Sequence, residues 1–400
     1  MRVRQHGRMT KTAQHLLANI QDLAPDIAAR AADMEAARRM PLDLVEMLKF
    51  IGVFRVFVPG SHGGLEFDLP SALDVITALG RIDGSVGWTA MIGIGGGIFA
   101  PLLTREIYTQ IYDKGPDVIF AGSVQPAGTA EAVQGGWRVN GRWPFASGCQ
   151  HADWMGGFCI MTRDGKPLPG QDEGMPLIRG CFMPADHWSI EDTWHVAGLK
   201  ATGSHHIVLK DVTVPDANFV DIANPVPCVQ APLARAVQQV LPLLHCANSI
   251  GVAEGALDEL VALANTGRQQ FRAMAPLRES EMFQAELGRA VADLRAAQGL
   301  LQMQAASHWR HAVAGTLQDE AFLTQALQTG TWIAATATRI AETCYRLAGG
   351  IALYETSPLQ RRLRDMQAAS QHYAVQQRHY VTAGKMVLGD PQISRKALAA

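Results

Sequence analysis

The sequence predicts a mainly α-helical chain with a central β domain, and three observations predict it. Residues 10 to about 115 repeat Ala, Leu, Ile and Met at three- and four-residue spacing, the period of an amphipathic helix. Residues 117–223 break into short, β-branched and aromatic runs punctuated by glycine. From about 231 onward those runs stop, and long Ala/Leu/Gln-rich amphipathic segments take over. The implied division is 1–116, an N-terminal helical domain; 117–223, a middle β domain; and 224–400, a C-terminal four-helix bundle.

In the first region, helices are expected over 12–38, 41–53 and 70–80, with Pro59-Gly-Ser-His-Gly-Gly64 as a turn between two of them. Gly93-Ile-Gly-Gly-Gly97 is tempting as a phosphate loop, but it follows no β-strand of a βαβ unit. It is better read as a helix that comes very close to another backbone or to a substrate. In the middle region, Val118–Val124, Gly136–Trp143, Gly156–Met161 and Ile207–Val214 are expected strands. Asn140-Gly141 is a hairpin signal, with Trp137 and Val139 on one side and Trp143 on the other. The linker 224–232, rich in proline, leads into expected bundle helices over 233–266, 280–312, 318–347 and 360–388.

Composition narrows the function. The 400 residues are 48% hydrophobic and 18% charged, which fits a globular chain whose surface is partly covered by other subunits. A net charge of −2 gives no electrostatic case for nucleic acid or an anionic membrane as partner. No apolar run is read as long enough to span a bilayer, and the basic Met1–Arg8 lacks the apolar stretch of a secretory signal. Six scattered cysteines with no Cys-x-x-Cys pair argue against zinc or a disulfide framework and for reduced thiols in the cytoplasm. His151, His187, His195 and the pair His205-His206, taken as loop residues, have no carboxylate at ligand spacing, so no metal site is expected.

The richest segment is Leu347-Ala-Gly-Gly-Ile-Ala-Leu-Tyr354 followed by Arg361-Arg-Leu-Arg-Asp365 and Ser370-Gln-His372. It resembles the C-terminal stretch of the acyl-CoA dehydrogenase superfamily, in which a Gly-Gly turn, a proline and an Arg-Asp pair precede the active-site segment. Gly52–Glu66, Arg81–Trp88, Ala121–Gly128, Trp143–Gly148, Gly198–His206 and Asp211–Pro215 are similar to further blocks of that family, in family order. Many dehydrogenases of the family carry a catalytic Glu shortly after the Asp, whereas Ser370–Val375 holds no carboxylate. The likeness is therefore closer to the flavin-dependent two-component monooxygenase branch. It implies a reduced FAD or FMN delivered by a separate reductase, a C4a-hydroperoxyflavin formed with O2, and hydroxylation or epoxidation of an aromatic or heteroaromatic molecule. It also implies a homotetramer with flavin sites across subunit boundaries.

The resemblance assigns roles residue by residue. Ser147 takes the position of a hydroxyl that hydrogen-bonds near flavin N5, with Trp143 in the same cofactor-facing block; by itself the serine reads first as a turn residue satisfying its own backbone. His372, expected on the last long helix, takes the position of the active-site histidine, where imidazole can donate a hydrogen bond or accept a proton near neutral pH. Gln371 or Tyr373 is an alternative for the inward position. Thr202, Gly203 and Ser204 resemble a loop near the flavin pyrophosphate or ribityl chain, or an ordinary turn. Ser123 and Gln125 are implied to pack around the isoalloxazine. Arg268 and Phe271 stand near the place where relatives use an Arg and an aromatic on a neighbouring subunit's flavin, although Arg272 replaces the usual glycine. Arg362, Arg364 and Asp365 are either a structural ion-pair group or a contact to a partner's flavin. No histidine occurs between Ser85 and Pro101, where phenol-hydroxylating relatives tend to carry one, so the resemblance points to an electron-rich substrate such as indole or an indole-acetate-like compound, or to one oxidised at sulfur. The rival readings are a true acyl-CoA dehydrogenase, with Glu355 as the one nearby base, and a flavin-binding protein without oxygenase activity.

Overall fold

The computed structural model describes residues 11–171 and 174–389; the basic N-terminal segment discussed above lies outside them. Seven helices come first: α1 (Lys11–Ala29), α2 (Ala31–Ala37), α3 (Leu42–Ile51), α4 (Leu69–Ile82), α5 (Gly84–Ile94), α6 (Gly96–Phe99) and α7 (Arg105–Tyr112). Eight strands follow: β1 (Phe120–Val133), β2 (Gly136–Ala146), β3 (Trp154–Arg163), β4 (Lys166–Pro167), β5 (Ile178–Pro184), β6 (Ser189–Glu191), β7 (His205–Val214) and β8 (Phe219–Val220). Five helices complete the described chain: α8 (Val237–Asn265), α9 (Glu281–Ala314), α10 (Glu320–Ala348), α11 (Pro358–Ala369) and α12 (His379–Val387).

The strands form one mixed sheet in the order β6-β7-β2-β1-β3-β5-β8, with β4 beside β3 and only β1 and β3 parallel. The β1–β2 turn falls at Gln134-Gly135, not at Asn140-Gly141. The latter pair marks a bulge against β7, where the Asn140 side chain accepts the Asp211 amide at 2.8 Å. Because β2 runs straight through this point, Trp143 lies in the same core as Val139 rather than opposite it. Its ring fills a slot floored by Gly128, Gly141 and Gly157, where any Cβ would collide with the indole. His205 and His206 open β7 and are not loop residues.

The helical regions at the two ends of the chain share a single core that the sheet's own core does not join. Glycine makes this possible at the crossing of α4 and α8. A Cβ on Gly251 would stand 2.3 Å from the Thr77 carbonyl oxygen, and one on Gly255 equally close to the Arg81 oxygen. Gly93, Gly96 and Gly97 serve the same end against Phe54, Phe120 and Phe57, so that run approaches neighbouring side chains and backbone of the fold. Two helical stretches, Gly84–Leu102 and Pro232–Asn265, are long and apolar enough to cross a bilayer, which corrects the reading of the sequence. Their apolar windows are 83% and 89% buried inside the protein, as core helices are.

The expected last helix over 360–388 is broken. α11 stops at Ala369, and His372 adopts an extended backbone (φ −65°, ψ 140°) whose ring accepts the Ala374 amide. A side chain that satisfies a backbone donor locally competes with helix continuation, and here it wins without glycine or proline.

The Arg-Asp block on α11 is a structural junction. Arg362, 6% exposed, donates to the Arg81 and Ile82 carbonyls at the end of α4 and to Glu259 on α8. Arg364 forms a two-point pair with Glu35 on α2 and also donates to the Ala197 carbonyl. Asp365 accepts the Leu199 amide at 2.6 Å. Burial, with Asp83 nearby, lifts the Asp365 carboxyl to about 7. A carboxyl whose folded pKa lies above its unfolded value favours folding in acid, and that contribution is lost as pH rises through the folded pKa. Wild type should therefore lose stability relative to Asp365→Asn between roughly pH 4 and pH 7. Thermal melts across that range check this, and parallel curves for the two proteins would contradict it.

Candidate active site

Five parts of the fold bring their side chains together at one place: Trp88 and Thr89 of α5, the turn after β2, the loop 199–204, His245 of α8, and the break after α11. The turn is set by left-handed backbone at Phe145 (φ 64°) and Gly148 (φ 74°), which reverses the chain and turns Ser147 inward. The Gly148 amide donates to the Thr202 carbonyl at 2.8 Å, tying this turn to the loop. A third left-handed residue, Leu199 (φ 52°), shapes the loop. Its amide is held by Asp365, and its carbonyl by the Trp194 indole at 3.0 Å and the Thr202 hydroxyl at 2.7 Å.

Ser147 is 5% exposed. Its Oγ accepts the Trp88 indole N–H at 3.0 Å and lies 2.6 Å from Ser204 Oγ. Ser204 Oγ is in turn 2.7 Å from Thr202 Oγ1. Two imidazoles also stand against Trp88: His245, with ring centroids 4.8 Å apart, and His372, in an edge contact at 5.8 Å. The two histidine rings lie 3.9 Å apart and Tyr373 is 4.6 Å beyond His372. Burial lowers His372 to about 4 and drives His245 well below the usual imidazole value, with His372 beside it adding to the effect. Both rings are neutral near pH 7. Because His372 Nδ1 accepts the Ala374 amide at 3.3 Å, its proton sits on Nε2, and the ring is a hydrogen-bond donor there. Two buried polar atoms at this place have no partner, Thr89 Oγ1 and His245 Nδ1. An acceptor hydroxyl, a donor imidazole, unpaired polar atoms and flat aromatic walls suit a planar ring with heteroatoms along its edge, as in a flavin.

The predicted residues do not all gather here. Ser147, His372, Thr202 and Ser204 do, but the Thr202 and Ser204 hydroxyls point at Ser147 and Leu199 and are 2% and 3% exposed, so they are spent on the protein. Gly203 has left-handed backbone (φ 51°) with its Cα face against Gln150 and the Arg38 carbonyl. Trp143 has no exposed surface and donates its indole N–H to the Phe158 carbonyl at 2.7 Å, so its place is the sheet core and not a cofactor wall. Ser123 borders, and Gln125 lies within, an irregularity where four β1 residues bow out against β3; Gln125 is exposed and its amide reaches Ser123 Oγ only at 3.4 Å. Arg268 and Phe271 lie past the far end of α8, roughly 30 Å along the helix from His245 at 1.5 Å per residue. Phe271 is 90% exposed, while Arg268 Nε is buried without a partner. Glu355 is exposed ahead of α11, and Gln371 is exposed as well. Trp88, Thr89 and His245 were not singled out from the sequence; the available signal was a polar or aromatic group in otherwise apolar helices.

Among the described residues no cluster of three or more His, Cys, Asp or Glu could hold a metal ion. A separate cavity of about 280 Å³ opens between Phe57, Phe67, Ile98, Leu233 and Trp309, and none of the predicted residues lines it.

Residues 10–105 match the family model described as acyl-CoA dehydrogenase, N-terminal domain, and residues 243–377 that of the acyl-CoA dehydrogenase C-terminal domain. The chain is 32% identical over 365 residues to an indole-3-acetate monooxygenase of Pseudomonas putida, covering 90% of each. It is 30% identical over 400 residues to the flavin-dependent monooxygenase oxygenase subunit HsaA of Mycobacterium tuberculosis, covering 95% of this chain and 97% of the relative. The crystal structure of 3-HSA hydroxylase from Rhodococcus sp. RHA1 superposes with a TM-score of 0.87 at 26% identity, over 94% of this chain and 97% of that one.

The two imidazoles permit a direct check. Nitrogen NMR of ring-labelled protein should find His372 neutral and Nε2-protonated at pH 6, well above its folded pKa. A ring half-protonated near pH 6.5 would show that burial does not hold it neutral.

Proposed function

We infer the function of this chain from the family to which it belongs, the acyl-CoA dehydrogenase superfamily, within its branch of flavin-dependent monooxygenase oxygenase components. It is a reduced-flavin-dependent monooxygenase, using FAD or FMN with O2 to oxygenate a small aromatic molecule. A separate reductase component supplies the reduced flavin. The observation that carries the reading is the meeting of Ser147, Trp88, His245 and His372 at one buried place, with no carboxylate in the segment Ser370–Val375.

When bound, a reduced flavin supplies the two electrons that let O2 deliver one oxygen atom to an aromatic ring. Ser147, Thr89, His245 and His372 are the residues proposed to hold it and the oxygen bound for substrate. Ser147 offers a fixed oxygen at the ring edge, and His372 offers the Nε2 proton as a hydrogen-bond donor. Trp88, which is buried, excludes water, and with Tyr373 it gives a flat substrate an apolar face. An indole or indole-acetate-like substrate fits these walls and the absence of a histidine between Ser85 and Pro101, and the Pseudomonas putida relative supports it. The proposed location is the cytoplasm.

Arg268 and Phe271, too far to reach their own chain's cluster, are proposed to serve the flavin of a neighbouring subunit in a homotetramer. The loop after α8 and the turn before α11 carry Phe271, Met274, Leu353 and Tyr354, each at least 67% exposed, an apolar surface suited to burial between subunits.

Single-turnover mixing of the reduced-flavin-loaded protein with O2 and an aromatic panel tests the reaction. Product should form in wild type, while Ser147→Ala and His372→Ala should divert O2 to H2O2 and lower the product yield by roughly tenfold or more. H2O2 alone from wild type across indole, phenol and thiophene panel members would overturn the oxygenase reading. Light scattering should find wild type tetrameric and Phe271→Asp with Tyr354→Asp dissociated; a monomeric wild type would remove the shared-site proposal.

A further inference from the structure

The hydroxyls beside Ser147 admit only one proton order. Thr202 Oγ1 is 2.7 Å from the Leu199 carbonyl, which can only accept, so the single Thr202 proton is committed there. Ser204 must then be the donor across its 2.7 Å contact with Thr202. With the Ser204 proton spent, Ser147 must be the donor across the 2.6 Å contact with Ser204. The Trp88 indole, which has only a donor, fills one lone pair of Ser147. What Ser147 still offers is a single lone pair. The far end of this line is fixed as well, because Leu199 is held through its amide by the buried Asp365.

We propose that this line of hydroxyls makes the site select reduced over oxidised flavin, with Ser204 and Thr202 as positioning residues that keep Ser147 an acceptor. The inference rests on the flavin reading above, in which Ser147 faces the ring edge, taken at N5 as the family resemblance implies. Reduced flavin carries an N–H at that atom and oxidised flavin carries a lone pair. An obligate acceptor bonds the first and opposes the second. A serine free to turn its O–H would serve both forms, so selectivity resides in the residues behind Ser147. Such a site takes the reduced molecule from solution and lets the spent one leave, as a flavin that arrives and departs as a cosubstrate requires.

The test is equilibrium binding to the full-length protein, without turnover. Dissociation constants are measured for oxidised FAD and FMN in air and for the dithionite-reduced forms without oxygen, alongside melting temperatures. Wild type should favour the reduced form. In Ser204→Ala and Thr202→Val the ratio of oxidised to reduced dissociation constants should fall about five- to tenfold, the weight of roughly one hydrogen bond. Thr202→Ser, which keeps the hydroxyl, should retain the wild-type ratio. A purely structural role would weaken both forms together and leave the ratio unchanged; that result in Ser204→Ala, with the protein folded, overturns the proposal even if Thr202→Val does not fold. Wild type binding neither form would instead sink the flavin reading, and a wild type that binds both equally would sink this inference alone.

Discussion

Two buried side chains one turn apart on α11, Arg362 and Asp365, hold this molecule's parts in register. Arg362 ties the end of α4 to α8, and Asp365 ties the same helix to the loop that leaves the sheet region. Charges taken out of water are costly unless every donor and acceptor is met. Here the guanidinium spends its donors on helix-end carbonyls that have no partner within their own helix, and on one carboxylate. Removing it would leave Glu259 and those carbonyls buried and unpaired, a loss of about 3–5 kcal/mol. The block is thus an internal ion-pair group, and its bonds lie within the chain.

The candidate site inherits its geometry from that junction. Leu199 keeps a left-handed backbone because Asp365 holds one side of it and Trp194 and Thr202 the other. From Leu199 the order passes through two hydroxyls, Thr202 and Ser204, to Ser147. From the end of the same α11 the chain breaks and places His372 against Trp88. A serine from the sheet and a histidine from the bundle therefore meet at fixed distance although 225 positions separate them.

The three regimes of the sequence were legible because periods of 3.6 and 2 residues are local signals. Ser147 and His372 stood out through their blocks, and the fold brings both against Trp88. What escaped depends on tertiary contacts. Asn140-Gly141 carries the letters of a hairpin turn, yet β2 continues through it because β7 pairs with it on the far side. Nothing in Ser370-Gln371-His372 announces a helix break, since the cap is the His372 ring itself. Trp143 sits in a segment similar to a cofactor-facing block, but three glycines distant in sequence make it a core residue. Thr202 and Ser204 had the hydroxyls of a phosphate loop, and only the neighbouring Ser147 and Leu199 decide that they point inward. His245 gives no local signal on an otherwise apolar helix, since its importance comes from the ring stacked upon it.

The glycine-lined crossing of α4 and α8 has a cost in time. The Thr77 hydroxyl bonds a carbonyl 170 residues further along the chain. At translation speeds of about 5–20 residues per second, α4 emerges roughly ten to thirty seconds before the helix that covers it. Throughout that interval a nearly bare apolar face is presented to the crowded surroundings of the ribosome, while the whole sheet is being made. The nascent chain, more than the finished enzyme, is where this architecture is exposed to aggregation.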